Sequence, residues 1–250
     1  MACTAAAAAA LAVAAAHAAD DARRPGSAFM SPALQAMQAD DSLNPAQLWV
    51  KEGEALWSRP PANGRACSGC HAAGSERGMA SRYPAYDASL GRPVTLAGRI
   101  DACRQRHQQA APQGADGPEL LALAAWLAQA SRGLPLAPPD HPRLAPWAAR
   151  GERLWQLRLG QLNLACASCH DQHAGQRLGG APIPQAHPTG YPTYRLEWQG
   201  LGSLPRRVRS CLAGVRAEPF AADSDDGLAI ELHLARRAAG MPLEGPAVRP

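Results

Sequence analysis

Two copies of the motif Cys-x-x-Cys-His constrain this chain more than any other feature. They read CSGCH at 67–71 and CASCH at 166–170. In this spacing two thiols can add across the vinyl groups of one haem while the adjacent imidazole reaches the iron, which is typical of c-type haem attachment. The sequence therefore predicts two covalently bound haem c groups. The predicted attachment cysteines and proximal iron ligands are Cys67, Cys70 and His71 for the first haem, and Cys166, Cys169 and His170 for the second.

A four-cysteine zinc site and a pair of thioredoxin-like redox motifs are the competing interpretations. Zinc would require the two cysteine pairs, which begin 99 residues apart, to meet across a domain boundary. A redox pair would require a strand before each motif, and no convincing alternating strand is found in the sequence. Haem is preferred because each porphyrin would also supply a large apolar core to a short, loop-rich half of the chain.

The two motifs lie within an internal repeat. GEALW at 53–57 is matched by GERLW at 151–155, and each precedes a haem motif by 10 or 11 residues. Further matched pairs, in the same order along the chain, are Tyr83-Pro84 with Tyr191-Pro192, LAGRIDAC at 96–103 with LPRRVRSC at 204–211, and GLPL at 133–136 with GMPL at 240–243. The chain is therefore predicted to be a duplication.

The predicted fold class is mainly α, with two tandem cytochrome c-like domains that have long loops and each surround one covalent haem. The N-terminal domain is placed at 19–140 and the C-terminal domain at 141–250, with the proline-rich stretch 135–146 as a stiff linker. The apolar periodicity predicts helices over 46–57, 119–130, 150–159, 205–212 and 227–239.

Residues 1–18 form an apolar, alanine-rich leader that predicts a secretory signal peptide and a periplasmic protein. The leader contains Cys3, so six of the seven cysteines remain in the mature chain. A net charge of +4, with 25 basic and 21 acidic residues, is too slight and too dispersed to favour nucleic acid. No apolar run beyond the leader predicts membrane insertion.

Each predicted haem needs a sixth ligand or an open site. Cys103 and Cys211 are the candidates that occur at matched positions of the repeat, and thiolate ligation by both is the preferred interpretation. The alternatives are a Cys103–Cys211 disulfide, inert buried thiols, or ligation by Met241, which has no methionine counterpart in the first repeat.

An arginine precedes each of these cysteines by four residues, as Arg99 and Arg207. On a helix this spacing places a guanidinium beside the thiol, where it can lower the thiol pKa and bind an oxyanion. More arginines surround Cys211 than Cys103, which favours the second site for chemistry, although the shared spacing leaves the choice open. Salt bridges to haem propionates or exposure to solvent are the other roles open to these arginines.

The chain resembles the SoxA family of dihaem c-type cytochromes from bacterial thiosulfate oxidation. The resemblance rests on the two haem motifs, on Asn44-Pro45 with the following GEALW, on the tract from Arg207 through Cys211 to VRA at 215–217, and on ELHLARRAAGMP at 231–242. Together these features extend over roughly residues 28–250, nearly the whole mature chain.

This resemblance implies an L-cysteine S-thiosulfotransferase, which oxidatively joins thiosulfate to a cysteine of the carrier SoxY and releases two electrons. It implies that Cys211 is the catalytic cysteine, ligates the second haem and carries a persulfide, and that Arg207 binds substrate. The first haem, with His71 and Cys103, is then distant from the chemistry. The implied partners are the monohaem cytochrome SoxX, the SoxYZ carrier protein, thiosulfate and a downstream cytochrome c. A dihaem electron carrier without sulfur chemistry is the alternative function, and a dihaem peroxidase is a further one.

Overall fold

The computed structural model describes residues 22–61 and 64–250. Its α-helices are α1 (Pro32–Ala39), α2 (Gln47–Ser58), α3 (Leu96–Gln108), α4 (Pro118–Ala130), α5 (Ala145–Gln156), α6 (Cys166–His170), α7 (Leu204–Gly214) and α8 (Asp225–Arg237). Its strands are β1 (Ala85–Asp87), β2 (Arg92–Val94), β3 (Arg177–Leu178), β4 (Ala181–Pro182), β5 (Thr193–Arg195), β6 (Gly200–Gly202) and β7 (Ala247–Arg249). The predicted signal peptide and Cys3 lie outside the described residues.

The mainly α fold class is confirmed, and each of the five predicted helices is present with shifted ends. Helix α5 begins at Ala145 rather than at 150, and Pro146 lies in its first turn, where the missing N–H of proline costs no hydrogen bond. Helix α8 begins at Asp225, because the Ser224 side chain accepts a hydrogen bond from the Gly227 N–H and caps its first turn. In the described part of the chain no helix is long and apolar enough to cross a membrane.

The sequence analysis predicted no strands, and this prediction was wrong. Strands β1 and β2 form an antiparallel pair, β3 and β4 form another, and β5 lies between antiparallel β6 and parallel β7. Each strand has only two or three residues, which is too few to produce a recognisable alternation of apolar and polar side chains.

The internal repeat is visible in the helix packing. Helix α2 packs along α4 in the first half, and α5 packs along α8 in the second. A glycine permits the close approach in both pairs: a Cβ at Gly53 would lie 2.1 Å from the Ala122 carbonyl oxygen, and one at Gly151 would lie 2.2 Å from that of Ala229. The two halves therefore use the same helix contact.

The two halves also contact each other through matched segments. GLPL at 133–136 pairs antiparallel with GMPL at 240–243, so that the Leu136 N–H donates to the Met241 carbonyl at 2.8 Å and the Leu243 N–H donates to the Leu134 carbonyl at 2.9 Å. The segment at 133–136, which includes the start of the predicted linker, is thus hydrogen-bonded to its repeat counterpart at 240–243, and the two segments are related by a local two-fold axis. The division at 140 falls between α4 and α5 and stays a prediction.

One hydrophobic core includes residues of both halves. Ala46, Val50 and Leu121 of the first half pack in a single buried cluster with Tyr194 and Val248 of the second. Burial of apolar surface in this shared cluster holds the two halves of the chain against each other.

Candidate functional site

The second haem motif forms one short helix, α6, which carries Cys166, Cys169 and His170. The hydroxyl of Ser168 accepts a hydrogen bond from the Ala165 N–H at 3.1 Å and stabilises the start of this helix. The His170 Nδ1 atom lies 2.7 Å from the Pro184 carbonyl oxygen. In a metal-ligating histidine, a hydrogen bond at Nδ1 fixes the tautomer and the ring orientation and leaves Nε2 available for the metal.

The environment of His170 favours the neutral ring that ligates iron. Burial lowers the pKa of His170, and the nearby Arg207 and Arg237 lower it further, against the effect of the Pro184 carbonyl. The Trp155 ring lies behind the imidazole, with the two ring centroids 5.9 Å apart. Trp155 itself donates to Asp171 at 2.7 Å, so the aromatic ring is held in place.

Helix α7 brings Cys211 next to the second haem motif. Burial, together with the neighbouring Cys211, raises the pKa of the Cys166 thiol to about 11. All six cysteines of the described residues are free thiols, so the Cys103–Cys211 disulfide is not formed. Cys211 therefore lies beside the second haem motif, where its thiol is available as an iron ligand.

The first haem motif has the same set of neighbours in a more open setting. Cys67–Gly69 form a 3-10 turn, and both Cys70 and His71 are exposed. The His71 ring lies 5.1 Å from that of Trp57, which corresponds to the Trp155–His170 contact. Burial raises the pKa of the Cys67 thiol, with Cys103 as a further cause, while the Gln108 amide, 3.6 Å from the sulfur, lowers it.

The residues at both sites fit covalent haem c. Each site combines two thiols and an imidazole on one turn with a third thiol from a separate helix, the donor set that thioether attachment and axial ligation require. Met241 is buried in a cluster with Leu136 and Leu243, where its thioether packs in the core.

The arginines beside the two distal cysteines differ in their pairing. Arg99 forms an ion pair with Asp87, with Nη2 2.6 Å from Oδ2. The Arg207 backbone N–H donates to the Ser203 carbonyl, but its guanidinium has no hydrogen-bond or ion-pair partner among the described residues. It lies close enough to His170 to lower the pKa of that group. Desolvation raises the pKa of Tyr191, Arg207 opposes this rise, and Cys211 adds to it, so Arg207 and Cys211 both lie near Tyr191. The unpaired guanidinium, Cys211 and His170 therefore lie close together.

The arginines that flank Arg207 are occupied. The Arg206 guanidinium stacks 4.1 Å above the Trp198 ring, and Arg209 pairs with Asp116 at 2.7 Å. Arg216 donates to the Gln161 side chain at 3.4 Å. Arg207 is thus the cation on α7 that is left for a ligand.

The structure assembles the candidate residues into two sites that correspond to the two repeats. Sequence reasoning missed the roles of Trp57 and Trp155, although both belong to the GEALW and GERLW landmarks. It also missed Asp87 and Asp116, which no local motif distinguishes. The roles of the candidate residues in haem ligation and catalysis stay predictions, and their placement supports those roles.

Comparisons with known proteins give consistent similarities. A family model of the SoxA/TsdA cytochrome c domain matches residues 52–136 and 150–243, which confirms two cytochrome c-like segments. The L-cysteine S-thiosulfotransferase subunit SoxA of Rhodovulum sulfidophilum is 36% identical over 240 residues, covering 94% of this chain and 83% of that protein. The SoxA subunit of Pseudaminobacter salicylatoxidans is 34% identical over 228 residues, covering 90% and 80% respectively. The crystal structure of SoxXA from P. pantotrophus matches with a TM-score of 0.87 at 29% identity, covering 91% of this chain and 87% of that chain.

Proposed function

The chain belongs to the SoxA/TsdA cytochrome c family, and on that premise we propose that it is a SoxA-type subunit of an L-cysteine S-thiosulfotransferase that joins thiosulfate to a cysteine of the SoxY carrier. The observation that carries this proposal is the unpaired Arg207 beside Cys211 and His170. A free guanidinium in this position is suited to a small dianion with sulfur to transfer.

Covalent haem c is the cofactor that a cytochrome c domain carries. We propose two such groups in this chain, because both Cys-x-x-Cys-His motifs are intact and each has a thiol from a separate helix beside it. His71 and Cys103 would hold the iron of the first, and His170 and Cys211 that of the second. A haem at the second site would accept one electron at a time of the two that the oxidation releases and would pass them on to a cytochrome acceptor.

Joining thiosulfate to Cys211 is a two-electron oxidation of the two sulfur atoms. Arg207 binds the thiosulfate dianion and directs its outer sulfur towards Cys211. The Cys211 thiolate forms a sulfur–sulfur bond to that outer sulfur, and two electrons pass to cytochrome acceptors. A SoxY thiolate then attacks the same outer sulfur and breaks its bond to Cys211. The thiosulfonate moves to the carrier, and Cys211 returns as a thiolate.

The proposed partners follow from the same family relation. The SoxXA structure supports a heterodimer with the monohaem cytochrome SoxX. The names of the relatives give an L-cysteine S-thiosulfotransferase. We propose SoxYZ as the carrier that supplies the cysteine and a downstream cytochrome c as the electron acceptor. We place this reaction in the periplasm, on the basis of the alanine-rich leader and the haem motifs.

Replacing Cys211 with serine tests the proposal. Thiosulfate-dependent reduction of cytochrome c, assayed with SoxX and SoxYZ, is expected to be abolished, because serine offers no sulfur for the transfer. The matched control is Cys103→Ser, which removes the equivalent thiol of the first repeat and should change the EPR signal of one haem while most turnover remains. Full turnover in the Cys211→Ser protein would show that Cys211 is not the catalytic residue, whereas no thiosulfate-dependent turnover in the parent protein would identify a dihaem electron carrier without sulfur chemistry.

A further inference from the structure

The two repeats place an arginine at the same helical position but give it opposite surroundings. Arg99 in α3 and Arg207 in α7 each follow a short antiparallel strand pair, and each helix begins at a capping hydroxyl, Thr95 or Ser203. The last residue of the first strand in each pair is Asp87 in the first repeat and Arg195 in the second. A negative charge at this position is thus replaced by a positive one.

Asp87 is held rigidly in its ion pair with Arg99. Its Oδ1 atom accepts hydrogen bonds from the Ser89 N–H at 2.8 Å, the Ser89 hydroxyl at 2.6 Å and the Leu90 N–H at 3.1 Å. Its Oδ2 atom faces the Arg99 guanidinium at 2.6 Å, and the Asp87 side chain is only 8% exposed. A carboxylate fixed by three other hydrogen bonds does not turn away when an external anion approaches.

Two neighbouring arginines, Arg104 and Arg195, do not reverse this difference. In the first repeat, Arg104 is paired with Glu119. In the second, Arg195 pairs with the exposed Glu197 at 2.7 Å and lies over the Trp198 ring, so it offers Arg207 no acceptor. The second site therefore keeps a free guanidinium, and the first site has its equivalent guanidinium neutralised.

We propose that the residue at this strand position determines which of the two sites binds thiosulfate. Asp87 occupies Arg99 and excludes the anion from the first site, whereas Arg195 at the matched position leaves Arg207 available at the second. The proposal rests on the proposed function, which assigns thiosulfate binding to Arg207. It makes Asp87 a specificity-determining residue, even though it lies in the repeat that does not carry out the chemistry.

The variant Asp87→Asn tests this proposal with little disturbance of the fold. The asparagine oxygen can keep the contacts to Ser89 and Leu90, while its amide group cannot form an ion pair with Arg99. Radiolabelled thiosulfate is counted by equilibrium dialysis on the haem-loaded complex with SoxX, without SoxYZ or electron acceptor. The variant is expected to bind one more thiosulfate per chain than the parent. The affinity of the site at Arg99 for thiosulfate should be roughly tenfold or more higher than in the parent. Adding Arg99→Gln should remove the extra site.

The reciprocal variant Arg195→Asp places a carboxylate opposite Arg207 and is expected to weaken binding at the second site by a similar factor. An Asp87→Asn protein that binds no more thiosulfate than the parent overturns the proposal, as does an extra site that survives Arg99→Gln. Failure of the proposed function has a different signature. In that case an Arg207→Gln protein binds as much thiosulfate as the parent, whatever the result for Asp87→Asn.

Discussion

At the residue scale, the buried carboxyl of Glu231 stands where the first repeat has a buried apolar side chain. Glu231 in α8 is 8% exposed, and its Oε1 atom has no hydrogen-bond partner among the described residues. The matched position in α4 is Ala124, which is also buried. Burial raises the pKa of Glu231 from 4.5 to about 8, because removing a carboxylate from water disfavours its charged form. Glu231 is therefore protonated in the folded protein at neutral pH.

The raised pKa of Glu231 predicts a pH-dependent stability difference. Between these two pKa values the folded state keeps a proton that the unfolded state releases. The contribution of this proton to the free energy of unfolding is complete below about pH 4.5 and is lost as the pH rises towards 8. Glu231→Gln removes the titration. Its unfolding free energy relative to the parent should therefore rise by at least about 1 kcal/mol between pH 5 and 9. Denaturant unfolding of both haem-loaded proteins at several pH values measures this, and parallel curves would contradict it.

At the scale of elements, the helix pairs α2–α4 and α5–α8 depend on glycine contacts. Because Gly151 lies against the Ala229 carbonyl, α5 also brings Leu154 and Trp155 onto α8, in a cluster with Ile230 and Leu234. Trp155 is the ring behind His170. The helix contact therefore sets the position of the proximal histidine as well as the stability of the second half.

A methyl group at residue 151 is expected to separate α5 from α8. In Gly151→Ala the new Cβ would lie 2.2 Å from the Ala229 carbonyl oxygen and 2.7 Å from the His233 Cβ, so the helices must shift. The expected loss of unfolding free energy is about 1–3 kcal/mol. The matched control is Gly214→Ala, at an exposed helical glycine whose added Cβ meets no atom within 4 Å. Equal stability of the two variants would show that the helix contact is not tight.

At the scale of the whole molecule, the first half supports the helix that carries Cys211. Asp116, in the loop before α4, accepts a hydrogen bond from the Ser203 N–H at 3.0 Å and one from Arg209 at 2.7 Å. Burial alone would raise the pKa of Asp116, but these donors hold it below its usual value. One carboxylate of the first half therefore fixes both the start and the middle of α7.

Removing this carboxylate should loosen α7 selectively. In Asp116→Ala, hydrogen exchange measured by mass spectrometry is expected to increase over 203–214, with an overall loss of about 1–3 kcal/mol, because the Ser203 N–H and Arg209 lose their acceptor. Asp41→Ala is the control, since it breaks an ion pair of similar length with Arg132 within the first half. Exchange that increases equally in α3 and α7, or in neither, would contradict a specific role of Asp116.

The sequence alone was sufficient for the parts of this protein whose chemistry is local. The haem motifs, the repeat, the five predicted helices and the matched pairs Arg99–Cys103 and Arg207–Cys211 follow from spacings of a few residues. Covalent attachment and helical periodicity are both short-range properties, and the SoxA resemblance rests on the same segments.

Only the tertiary structure decided what distinguishes the two sites. Asp87 reaches Arg99 through a three-residue strand that leaves no pattern in the sequence, and Asp116 reaches Arg209 across 93 residues. The core cluster that joins the two halves is likewise made of residues far apart in the chain. Whether an arginine is free to bind an anion depends on which carboxylate the fold places beside it, and the shared Arg-x-x-x-Cys spacing is the same in either case.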